Sequence, residues 1–474
     1  MPNAPLRVAV RIAPSPQPAW IARVVDAIRD ADFARIVRVV EGAPRARERR
    51  TLYEQLDDVV FRRAGSAFEP REIALNANDN DDVDVVLDFA PGTRLPDLAP
   101  RFGVWTLRTS DALAELASAR DTTLALLEAD GRPIASARAA VDAISLRRGT
   151  SRLFAKAASL IISELARLHR TQELPPRLEL PAEKPSTSRG SVLAQRARAF
   201  LRQRKRDRTM NEQWFVAFGF GHHDYAKFHA LLPPDDRLWA DPFVFQDGAH
   251  TWLFVEEMLF AENRGTIAVM ELRRDGTASS PRTVLTRPYH LSYPCVFAWN
   301  GAHYMLPETG ENETIELYRA TNFPYEWEPH ATLMRGLRAV DATLFEHAGR
   351  WWLYVSTAPD GETYDELSLY HADSPLGPWT SHPRNPLMID VTAGRCAGRP
   401  FLRDGRLLRP AQNGARRYGH SIALREIVTL TTEAYEERAA GTIEPDWNAE
   451  LIGTHTLNID GDAVVIDGLR YRPR

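Results

Sequence analysis

The chain has 474 residues, a formal net charge of −4 and two cysteines, Cys295 and Cys396. This length predicts two or three domains with enough apolar residues for their cores. The small net charge argues against a nucleic-acid-binding protein, and two cysteines without a CxxC spacing form no disulfide framework, which favours a reducing compartment. The N-terminal residues lack a signal-peptide pattern and no apolar run is long enough to span a bilayer, so we expect a cytoplasmic protein.

Residues 1–175 alternate predicted strands and helices. Residues 6–12, 36–40 and 83–89 have the apolar, β-branched pattern of strands, and residues 19–28 have the apolar spacing of a helix. Strand, helix and strand in this order predict a parallel sheet, so we expect an α/β domain of the Rossmann-like class.

This first domain resembles the N-terminal domain of formyltransferases in residues 6–40, 84–88, 102–108 and 130–134. That family works with an Asn and a His two residues apart and with a downstream Asp. Here Thr106 and Arg108 stand at the first two positions, and Asp130 matches the third loosely. Without an imidazole, formyl transfer lacks its general base. The resemblance therefore implies a formyltransferase-like domain that is catalytically silent, or one that still binds a small ligand.

Residues 176–210 form a predicted linker. Its first part is rich in Pro, Glu and Ser, which is typical of a tether. Residues 195–208 form a predicted basic helix that includes Phe200 and Leu201. We expect a solvated helix between domains; the alternative is peripheral contact with an anionic membrane, which would be the inner membrane for a cytoplasmic protein.

Residues 211–474 repeat a strand–turn–strand unit. Five copies occupy residues 239–255, 292–306, 340–355, 398–409 and 455–466, the last being the weakest. A period of about 50 residues with several strands in each repeat predicts an all-β propeller with five blades. We expect residues 213–217 to close the ring by joining the last blade, and the first strand of each unit to lie nearest the central channel.

Two of these first strands carry a single carboxylate within an apolar run. Asp241 precedes Pro242, and Asp341 stands at the matching point two units later. Strand propensity does not explain an Asp at such a position. We expect both carboxylates at the mouth of the channel; the alternative is that each holds a tight strand entry through backbone hydrogen bonds.

The propeller resembles the five-bladed glycosidases of glycoside hydrolase family 43 and, more closely, the N-terminal domain of the plant glucosamine inositolphosphorylceramide transferase family. The matching motifs are Ala240-Asp241-Pro242-Phe243, Phe254-Val255-Glu256-Glu257, Ser292-Tyr293-Pro294, Pro307-Glu308-Thr309, Val340-Asp341-Ala342, Gly377-Pro378-Trp379 and Arg409-Pro410-Ala411-Gln412. A fold hosts many chemistries, so this resemblance supports the fold more strongly than the activity.

In the glycosidases an Asp is the general base, a second Asp tunes pKa values and a Glu that opens the fourth blade is the general acid. Asp241 and Asp341 fit the first two roles, but Arg399 opens the fourth unit here. A guanidinium cannot donate the proton that inverting hydrolysis needs. Either Glu308 serves as the acid, or Arg399 and Arg409 stabilise a leaving group that is already anionic.

The leading hypothesis is a carbohydrate-active enzyme of the glycosyltransferase type. It would use a phosphate-linked sugar donor and a glycan or glycolipid acceptor in surface polysaccharide or glycolipid biosynthesis, without a cofactor or a metal. The alternatives are a glycoside hydrolase and a non-catalytic glycan-binding propeller. The predicted catalytic residues are Asp241, Asp341 and Glu308, and the predicted substrate-binding residues are Trp239, Glu257, Tyr293, Arg399, Arg409, Gln412, Tyr418 and His420.

Overall fold

A computed structural model describes most of the chain. The described residues are 3–14, 16–42, 57, 66–73, 82–90, 98–110, 115, 121–142, 145–179, 206, 208–358 and 363–473. The chain divides into two compact units, Met1–Arg202 and Gln203–Arg474. Apart from positions 206 and 208, the predicted basic helix at residues 195–208 lies outside the described residues. Within the described part of the chain, no helix combines the length and apolar character that crossing a membrane requires.

The first unit contains a six-stranded sheet and two described helices. Its elements are β1 (Leu6–Ile12), β2 (Gln17–Pro18), α1 (Ala19–Asp30), β3 (Ala34–Glu41), β4 (Pro70–Arg71), β5 (Val85–Asp88), β6 (Val104–Thr109), β7 (Thr122–Ala129), β8 (Arg132–Ala140) and α2 (Leu146–Thr171). The strand order in the sheet is β3-β1-β5-β6-β7-β8. Helix α1 buries the apolar side chains Ile21, Val24, Val25 and Ile28.

This sheet is mixed, whereas the sequence pattern predicted a parallel one. Strand β1 pairs in parallel with β3 and β5, and β5 pairs in parallel with β6, but β6, β7 and β8 pair antiparallel. The turn Asp130-Gly131 has positive φ at both residues and joins β7 to β8 as a tight hairpin, which only antiparallel strands allow. The Rossmann-like and formyltransferase-like descriptions of this unit stay predictions.

Two of the three residues at the formyltransferase positions, Arg108 and Asp130, have local partners. On β6, the Arg108 Nε donates to Glu128 at 2.8 Å. The Asp130 Oδ1 accepts the backbone N–H of Val104 at 2.8 Å, which ties the hairpin turn to β6. The Asp130 carboxylate therefore has a structural contact that explains its position without a ligand.

The second unit consists almost entirely of strands. They are β9 (Met210–Phe220), β10 (His229–Leu231), β11 (Arg237–Asp247), β12 (His250–Leu259), β13 (Arg264–Leu272), β14 (Arg282–Leu285), β15 (Ser292–Trp299), β16 (Ala302–Glu308), β17 (Thr314–Asn322), β18 (Glu326–Arg335), β19 (Ala339–His347), β20 (Arg350–Thr357), β21 (Glu366–Ala372), β22 (Thr380–Ser381), β23 (Met388–Ile389), β24 (Arg395–Cys396), β25 (Phe401–Arg403), β26 (Arg406–Asn413), β27 (Ser421–Leu430), β28 (Tyr435–Ile443), β29 (Leu451–Gly453), β30 (Leu457–Asp460) and β31 (Ala463–Pro473), with short 3₁₀ turns at Tyr225–Lys227 and Gly310–Asn312.

These strands form five sheets, which confirms the predicted five-bladed propeller. Four sheets are built from consecutive strands, β11–β14, β15–β18, β19–β23 and β24–β28. The fifth combines β9 and β10 with β29, β30 and β31. Strand β9 pairs antiparallel with β31 from Met210–Pro473 to Phe220–Ala463, so the first strand of the unit closes the ring with the last.

The innermost strands of the first three blades share one irregularity. In β11, β15 and β19 two residues stand opposite one residue of the neighbouring strand, which is a β-bulge. The first residues of these bulges are Asp241, Tyr293 and Asp341, with φ of 49°, 47° and 50°. A left-handed conformation is uncommon for residues other than glycine, and a bulge redirects the side chains beside it. At these three residues the bulge therefore interrupts the regular alternation of side chains between the two faces of the sheet.

The fourth blade departs from this pattern. Its first strand is interrupted, with β24 and β25 on either side of residues 397–400. Gly398 has φ of 128°, and a Cβ there would lie 1.9 Å from the carbonyl oxygen of Leu457, so the last blade approaches too closely for any other residue. Because of the interruption, the side chain of Arg395, and not that of Arg399, forms a hydrogen bond with Asp341.

Candidate active site

Asp241 lies where the first blade meets the last. Its side chain is almost fully buried, the Oδ1 accepts a hydrogen bond of 2.8 Å from Thr456 Oγ1, and the His455 Nε2 is 3.5 Å from the same oxygen. Burial raises the pKa of Asp241 to about 7; the His455 ring opposes this rise, and the Asp341 carboxylate adds to it. A carboxyl group that titrates near neutrality is suited to general base catalysis.

His455 is held between two carboxylates. Its Nδ1 lies 2.5 Å from the Oδ2 of Asp467, whose Oδ1 accepts the backbone N–H groups of His455 at 2.8 Å and Thr456 at 3.0 Å. The imidazole also stacks on Trp214, with 4.0 Å between the ring centroids. Burial lowers the pKa of His455, but the carboxylates of Asp467 and Asp241 outweigh burial and raise it to about 9. Near neutral pH this ring is a cation beside Asp241.

Asp341 forms the second centre of the site. Its Oδ2 accepts hydrogen bonds from Arg395 Nε at 2.5 Å and from Gln412 Nε2 at 2.9 Å, and the carboxylate is 1% exposed. Gln412 also donates to the carbonyl of Cys396 at 3.0 Å, which fixes its amide. The structure thus places Gln412 beside Asp341 and identifies Arg395 as the guanidinium of this site.

Glu308 stands beside Asp341 at the end of β16. In the bulged blades Ser292 pairs with Glu308 as Ala240 pairs with Glu256, so the two glutamates occupy equivalent positions. The Oε2 of Glu308 is 3.4 Å from the backbone nitrogen of Asp341. Burial and the Asp341 carboxylate raise the pKa of Glu308 to about 8, although Arg395 opposes the rise. Glu308 is therefore mostly protonated at neutral pH and can donate a proton.

The neighbouring glutamates Glu256 and Glu257 point in different directions, as the alternation of strand side chains requires. Glu256 lies 3.2 Å from His290 Nε2, while the N–H of Gly265 donates to the Nδ1 of that ring. The Oε1 of Glu257 instead accepts from Trp239 Nε1 at 3.1 Å. Glu256 thus belongs with the charges of the site, since its carboxylate raises the pKa of Asp241, whereas Glu257 and Trp239 satisfy each other within the blade.

Tyr418 is the exposed aromatic residue beside these groups. It is 54% exposed, and its ring centroid lies 5.5 Å from that of His455 and 5.0 Å from the guanidinium carbon of Arg395. One side chain therefore contacts the cation next to Asp241 and the cation next to Asp341. An exposed aromatic ring in this position could stack on a sugar ring.

In the structure Arg399 and Arg409 have partners within the fold, whereas the sequence predicted that they bind a leaving group. Arg399 donates to the backbone carbonyls of Val296 at 3.0 Å and Val244 at 3.5 Å, so it joins the innermost strands of two other blades. Arg409 is fully buried, and two of its nitrogens donate to the carboxylate of Glu437 at 2.9 Å each. Both guanidinium groups are used by the fold, which leaves Arg395 as the arginine beside Asp341.

Two further predicted substrate-binding residues have structural partners. Tyr293 is 0% exposed; its hydroxyl accepts the N–H of Gly398 at 2.6 Å and lies 2.9 Å from Thr343 Oγ1, so it connects three blades. The His420 Nε2 lies 3.5 Å from a carboxylate oxygen of Glu444. These contacts give Tyr293 a structural role in joining the blades, and its predicted contact with a substrate stays a prediction.

Among the described residues, Asp241, His455 and Asp467 offer three potential metal ligand atoms within 4.8 Å of one another. The His455 Nδ1 and the Asp467 Oδ2 are only 2.5 Å apart, which is too close for both to bind one ion at bond lengths of about 2.0–2.2 Å without a strongly compressed angle. The arrangement therefore fits a carboxylate–imidazole–carboxylate chain better than a metal centre.

Sequence reasoning missed Arg395, His455, Thr456 and Asp467. A signal existed for one segment: Thr454-His455-Thr456 is a polar run directly before an apolar strand, the same kind of anomaly that identified Asp241. A signal also existed for Asp467, which is a single carboxylate within the apolar run at residues 463–469. No comparable pattern distinguishes Arg395, which is recognisable only by its contact with Asp341 of another blade.

Comparison with known proteins places the propeller near one family. Residues 233–446 match the family model described as glucosamine inositolphosphorylceramide transferase 1, N-terminal. The glucosamine inositolphosphorylceramide transferase 1 of Oryza sativa subsp. japonica is 37% identical over 203 residues, and that of Arabidopsis thaliana is 34% identical over 203 residues. Each alignment covers 42% of this chain, but only 27% of the rice protein and 26% of the Arabidopsis protein. The chain thus spans about a quarter of the length of these relatives.

Solved structures with a similar arrangement are more distant. A family 117 glycoside hydrolase of Zobellia galactanivorans has 13% sequence identity and a TM-score of 0.37, with 55% of this chain and 90% of that chain covered. A GH43_1 enzyme of Xanthomonas citri has 11% identity and a TM-score of 0.37, with 50% and 87% covered. The assignment of five blades rests on the strand pairing of the chain itself.

Proposed function

We propose that the propeller is a carbohydrate-active enzyme that transfers a glycosyl group to a hydroxyl group, with Asp241 as the general base. The observation that carries this proposal is the convergence of Asp241, Glu308 and Asp341 from three blades: the Glu308 Oε2 lies 3.4 Å from the backbone nitrogen of Asp341, Asp341 raises the pKa of Asp241, and both aspartates raise the pKa of Glu308. Two of these carboxyl groups titrate near neutrality, which is the range that acid–base catalysis needs.

In the proposed reaction the oxygen of the incoming hydroxyl attacks the anomeric carbon and the hydroxyl proton moves to Asp241. The bond from the anomeric carbon to the leaving oxygen breaks at the same time. A phosphate leaving group keeps the electron pair without protonation, and Arg395 is the nearby cation that would stabilise its charge. Asp341, which is paired with Arg395 and Gln412, holds that guanidinium in position.

The names of the matched relatives support a proposal for the class of substrate. The relatives are named for glucosamine and inositolphosphorylceramide, so we propose an activated amino sugar as donor and a glycolipid of the inositol phosphate type as acceptor. Contact of residues 195–208 with an anionic membrane would bring the chain to such an acceptor, and a cytoplasmic location at the inner membrane is part of the same proposal.

Glycoside hydrolysis is the second candidate, and Glu308 is the observation that favours it. A carboxyl group whose pKa is raised to about 8 can protonate the leaving oxygen of an ordinary glycoside while Asp241 activates water. The two functions use the same base and differ in the acceptor and in whether the leaving group needs the Glu308 proton.

The test compares two reactions in four proteins. The reactions are transfer from a nucleotide-activated glucosamine to inositolphosphorylceramide and hydrolysis of an aryl glycoside whose leaving alcohol needs protonation. The proteins are the full chain, Asp241→Asn, Glu308→Gln and the control His250→Gln, in which an exposed histidine 2.6 Å from Glu271 is changed. The transferase predicts that Asp241→Asn loses transfer by about 100-fold while Glu308→Gln retains it.

Loss of aryl glycoside hydrolysis in both variants would establish the second candidate instead. Binding of a glycan without turnover in either reaction would overturn both and leave a glycan-binding propeller. A loss of activity in His250→Gln equal to that of Asp241→Asn would show that the effect is not specific to the site.

A further inference from the structure

We propose that His455, held in place by Asp467, keeps the carboxylate of Asp241 ionised and oriented. The inference rests on the proposed function because it explains how that base is maintained. Neither His455 nor Asp467 lies within residues 233–446, the region that matches the family model. Both are positioning residues, since they act on Asp241 rather than on the substrate.

Contacts within the last blade hold Asp467 and His455 in place next to Asp241. Asp467 is 0% exposed; its Oδ1 accepts two backbone N–H groups, and its Oδ2 lies 2.5 Å from the His455 Nδ1 and accepts the backbone N–H of Asp241 at 3.4 Å. Stacking on Trp214 sets the plane of the imidazole, so the Nε2 must face Asp241. Thr456, the next residue along the chain, donates to the same Asp241 oxygen. One segment of the last blade thus supplies both the positive charge and the hydrogen bond.

The surroundings of Asp241 make such a cation necessary. The charged groups that act on Asp241 from the other blades include the carboxylates of Glu256 on β12 and Asp341 on β19, and Asp241 in turn acts on Glu308 at the end of β16. Arg395 forms a hydrogen bond with Asp341, and the negative charge of Asp467 also raises the pKa of Asp241. Burial and like charges all oppose ionisation of Asp241. His455 is the largest influence in the opposite direction.

Protonation of His455 depends in turn on Asp467. An isolated buried imidazole favours its neutral form, whereas a buried carboxylate at 2.5 Å favours the imidazolium. Removal of the Asp467 charge should therefore neutralise His455 and leave Asp241 without its counterion. Asp467 also acts on Asp241 directly, because its Oδ2 lies 3.4 Å from the backbone nitrogen of Asp241 and its negative charge raises the pKa of Asp241. The loss of the Asp467 charge should therefore resemble the loss of His455 in direction but be smaller in size.

The experiment measures the titration of Asp241 directly and then its effect on turnover. Infrared difference spectra of the full chain labelled with ¹³C-aspartate, compared with the Asp241→Asn variant, give the midpoint at which Asp241 ionises. His455→Gln should move this midpoint to higher pH by about one unit or more, and Asp467→Asn should move it in the same direction by less, because that variant also removes a carboxylate that raises the pKa of Asp241. The control His250→Gln removes an exposed histidine next to a carboxylate and should leave the midpoint in place.

The pH profile of transfer provides the second readout. In the unchanged protein the rate should rise with pH as Asp241 ionises, with a midpoint near 7. In His455→Gln this rise should move to higher pH, so the rate at pH 6 falls about tenfold and recovers above pH 8, and Asp467→Asn should show a smaller change of the same sign. A uniform loss at every pH would indicate a merely structural role and overturn the inference.

The two readouts separate this inference from the proposed function. A shifted Asp241 midpoint in a protein without turnover would support the role of His455 and contradict the proposed activity. An unshifted midpoint in a folded variant would overturn the inference even if the enzyme is active. Because Asp467→Asn preserves the shape of the side chain, it serves as the second variant if His455→Gln does not fold.

Discussion

The propeller contains two clusters of buried charged groups that differ in the ratio of carboxylates to cations. We call the first the axis cluster; it consists of Asp241, Glu256, Glu308, Asp341 and Asp467 with the basic side chains His290, Arg395 and His455. The second is the blade-four cluster, which consists of Arg409, Arg425 and Glu437 with Tyr354 and Tyr435. One has an excess of carboxylates and the other has an excess of guanidinium groups.

In the blade-four cluster every oxygen of the carboxylate has a donor. Glu437 accepts from Arg409 at 2.9 Å, from Arg425 at 2.8 Å and from the Tyr435 hydroxyl at 2.5 Å. Although burial alone would raise the pKa of Glu437, the charge and hydrogen bonds of Arg409 hold it below the ordinary value. This network therefore favours the ionised carboxylate and stabilises the fold.

In the axis cluster the carboxyl groups outnumber the nearby cationic groups. The pKa of Asp241 is raised to about 7 and that of Glu308 to about 8, chiefly by burial. Several like charges in a buried site oppose folding, so their presence indicates a functional use of the site. In this molecule a buried carboxylate surrounded by guanidinium groups is structural, whereas a group of buried carboxyls that outnumber the nearby cations is a candidate for chemistry.

The largest effect on stability should come from the blade-four cluster. Arg409→Ala would leave the Glu437 carboxylate buried without its main counterion, so we expect the free energy of unfolding to fall by about 3–5 kcal/mol. Urea denaturation measures this change. In the same sheet Arg438→Ala removes an exposed partner of Glu426 and should have little effect. Equal losses in both variants would contradict the distinction between the clusters.

A large effect on activity should come from the axis cluster. Asp241→Asn keeps the size of the side chain and removes the base, so we expect transfer to fall on the order of 100-fold with a melting temperature that is unchanged or higher. The matched control is Asp236→Asn, which changes an exposed aspartate near the start of β11. Unfolding of Asp241→Asn would show that this carboxylate serves the fold.

The two clusters should respond to pH in opposite directions. The pKa of Glu308 is raised, so its contribution to stability is present at low pH and is lost as the pH rises through about 8. The pKa of Glu437 is lowered, so its contribution is present at neutral pH and is lost as the pH falls below the ordinary range of carboxyl groups. In urea denaturation from pH 4 to 9, Glu308→Gln should reduce the decline in stability that occurs as the pH rises from about 4.5 to about 8.

Glu437→Gln provides the complementary measurement. It should be less stable than the unchanged protein at pH 7, and the difference should shrink as the pH falls, because the lost contribution is already absent in acid. The same sign of pH dependence in Glu308→Gln and Glu437→Gln would contradict the assignment of the two clusters.

The smallest expected effect tests a single hydrogen bond. Thr456→Val keeps the shape of the side chain and removes the donor to Asp241 Oδ1. The loss of a hydrogen bond of about 1 kcal/mol should lower transfer at pH 6 about fivefold and shift the rise of the rate to higher pH. Since Asp241 still ionises, the maximal rate at high pH should be retained. Thr442→Val, at a position paired with Ala423 in β27 and β28, serves as the control.

The local pattern of the sequence was sufficient for the architecture of the second unit. Turns such as Asn300-Gly301 and Ala348-Gly349, which adopt positive φ at both residues, separate apolar strands at a regular interval and thereby specify the hairpins of the blades. The sequence also identified Asp241, Asp341 and Glu308, because a lone carboxylate in or at the end of an apolar strand conflicts with burial unless a partner is present.

The sequence could not decide which arginine faces the site. Arg395 and Arg399 are four residues apart, and only the interruption of the first strand at residues 397–400 brings Arg395 to Asp341 and sends Arg399 to the carbonyls of other blades. In the first unit, the antiparallel pairing of β6 to β8 was likewise hidden, since Asp130-Gly131 was interpreted as part of a family motif rather than as a hairpin turn.

What the sequence determined by itself was therefore the repeat, the ring of blades and the candidate carboxylates, because these depend on residues that are neighbours in the chain or recur at a fixed period. Only the tertiary structure decided what surrounds each carboxylate. His455 and Thr456 reach Asp241 across more than 200 residues, at the junction of the first and last blades. Burial and unlike charges set the protonation of Asp241, and both are properties of the closed ring that no local pattern contains.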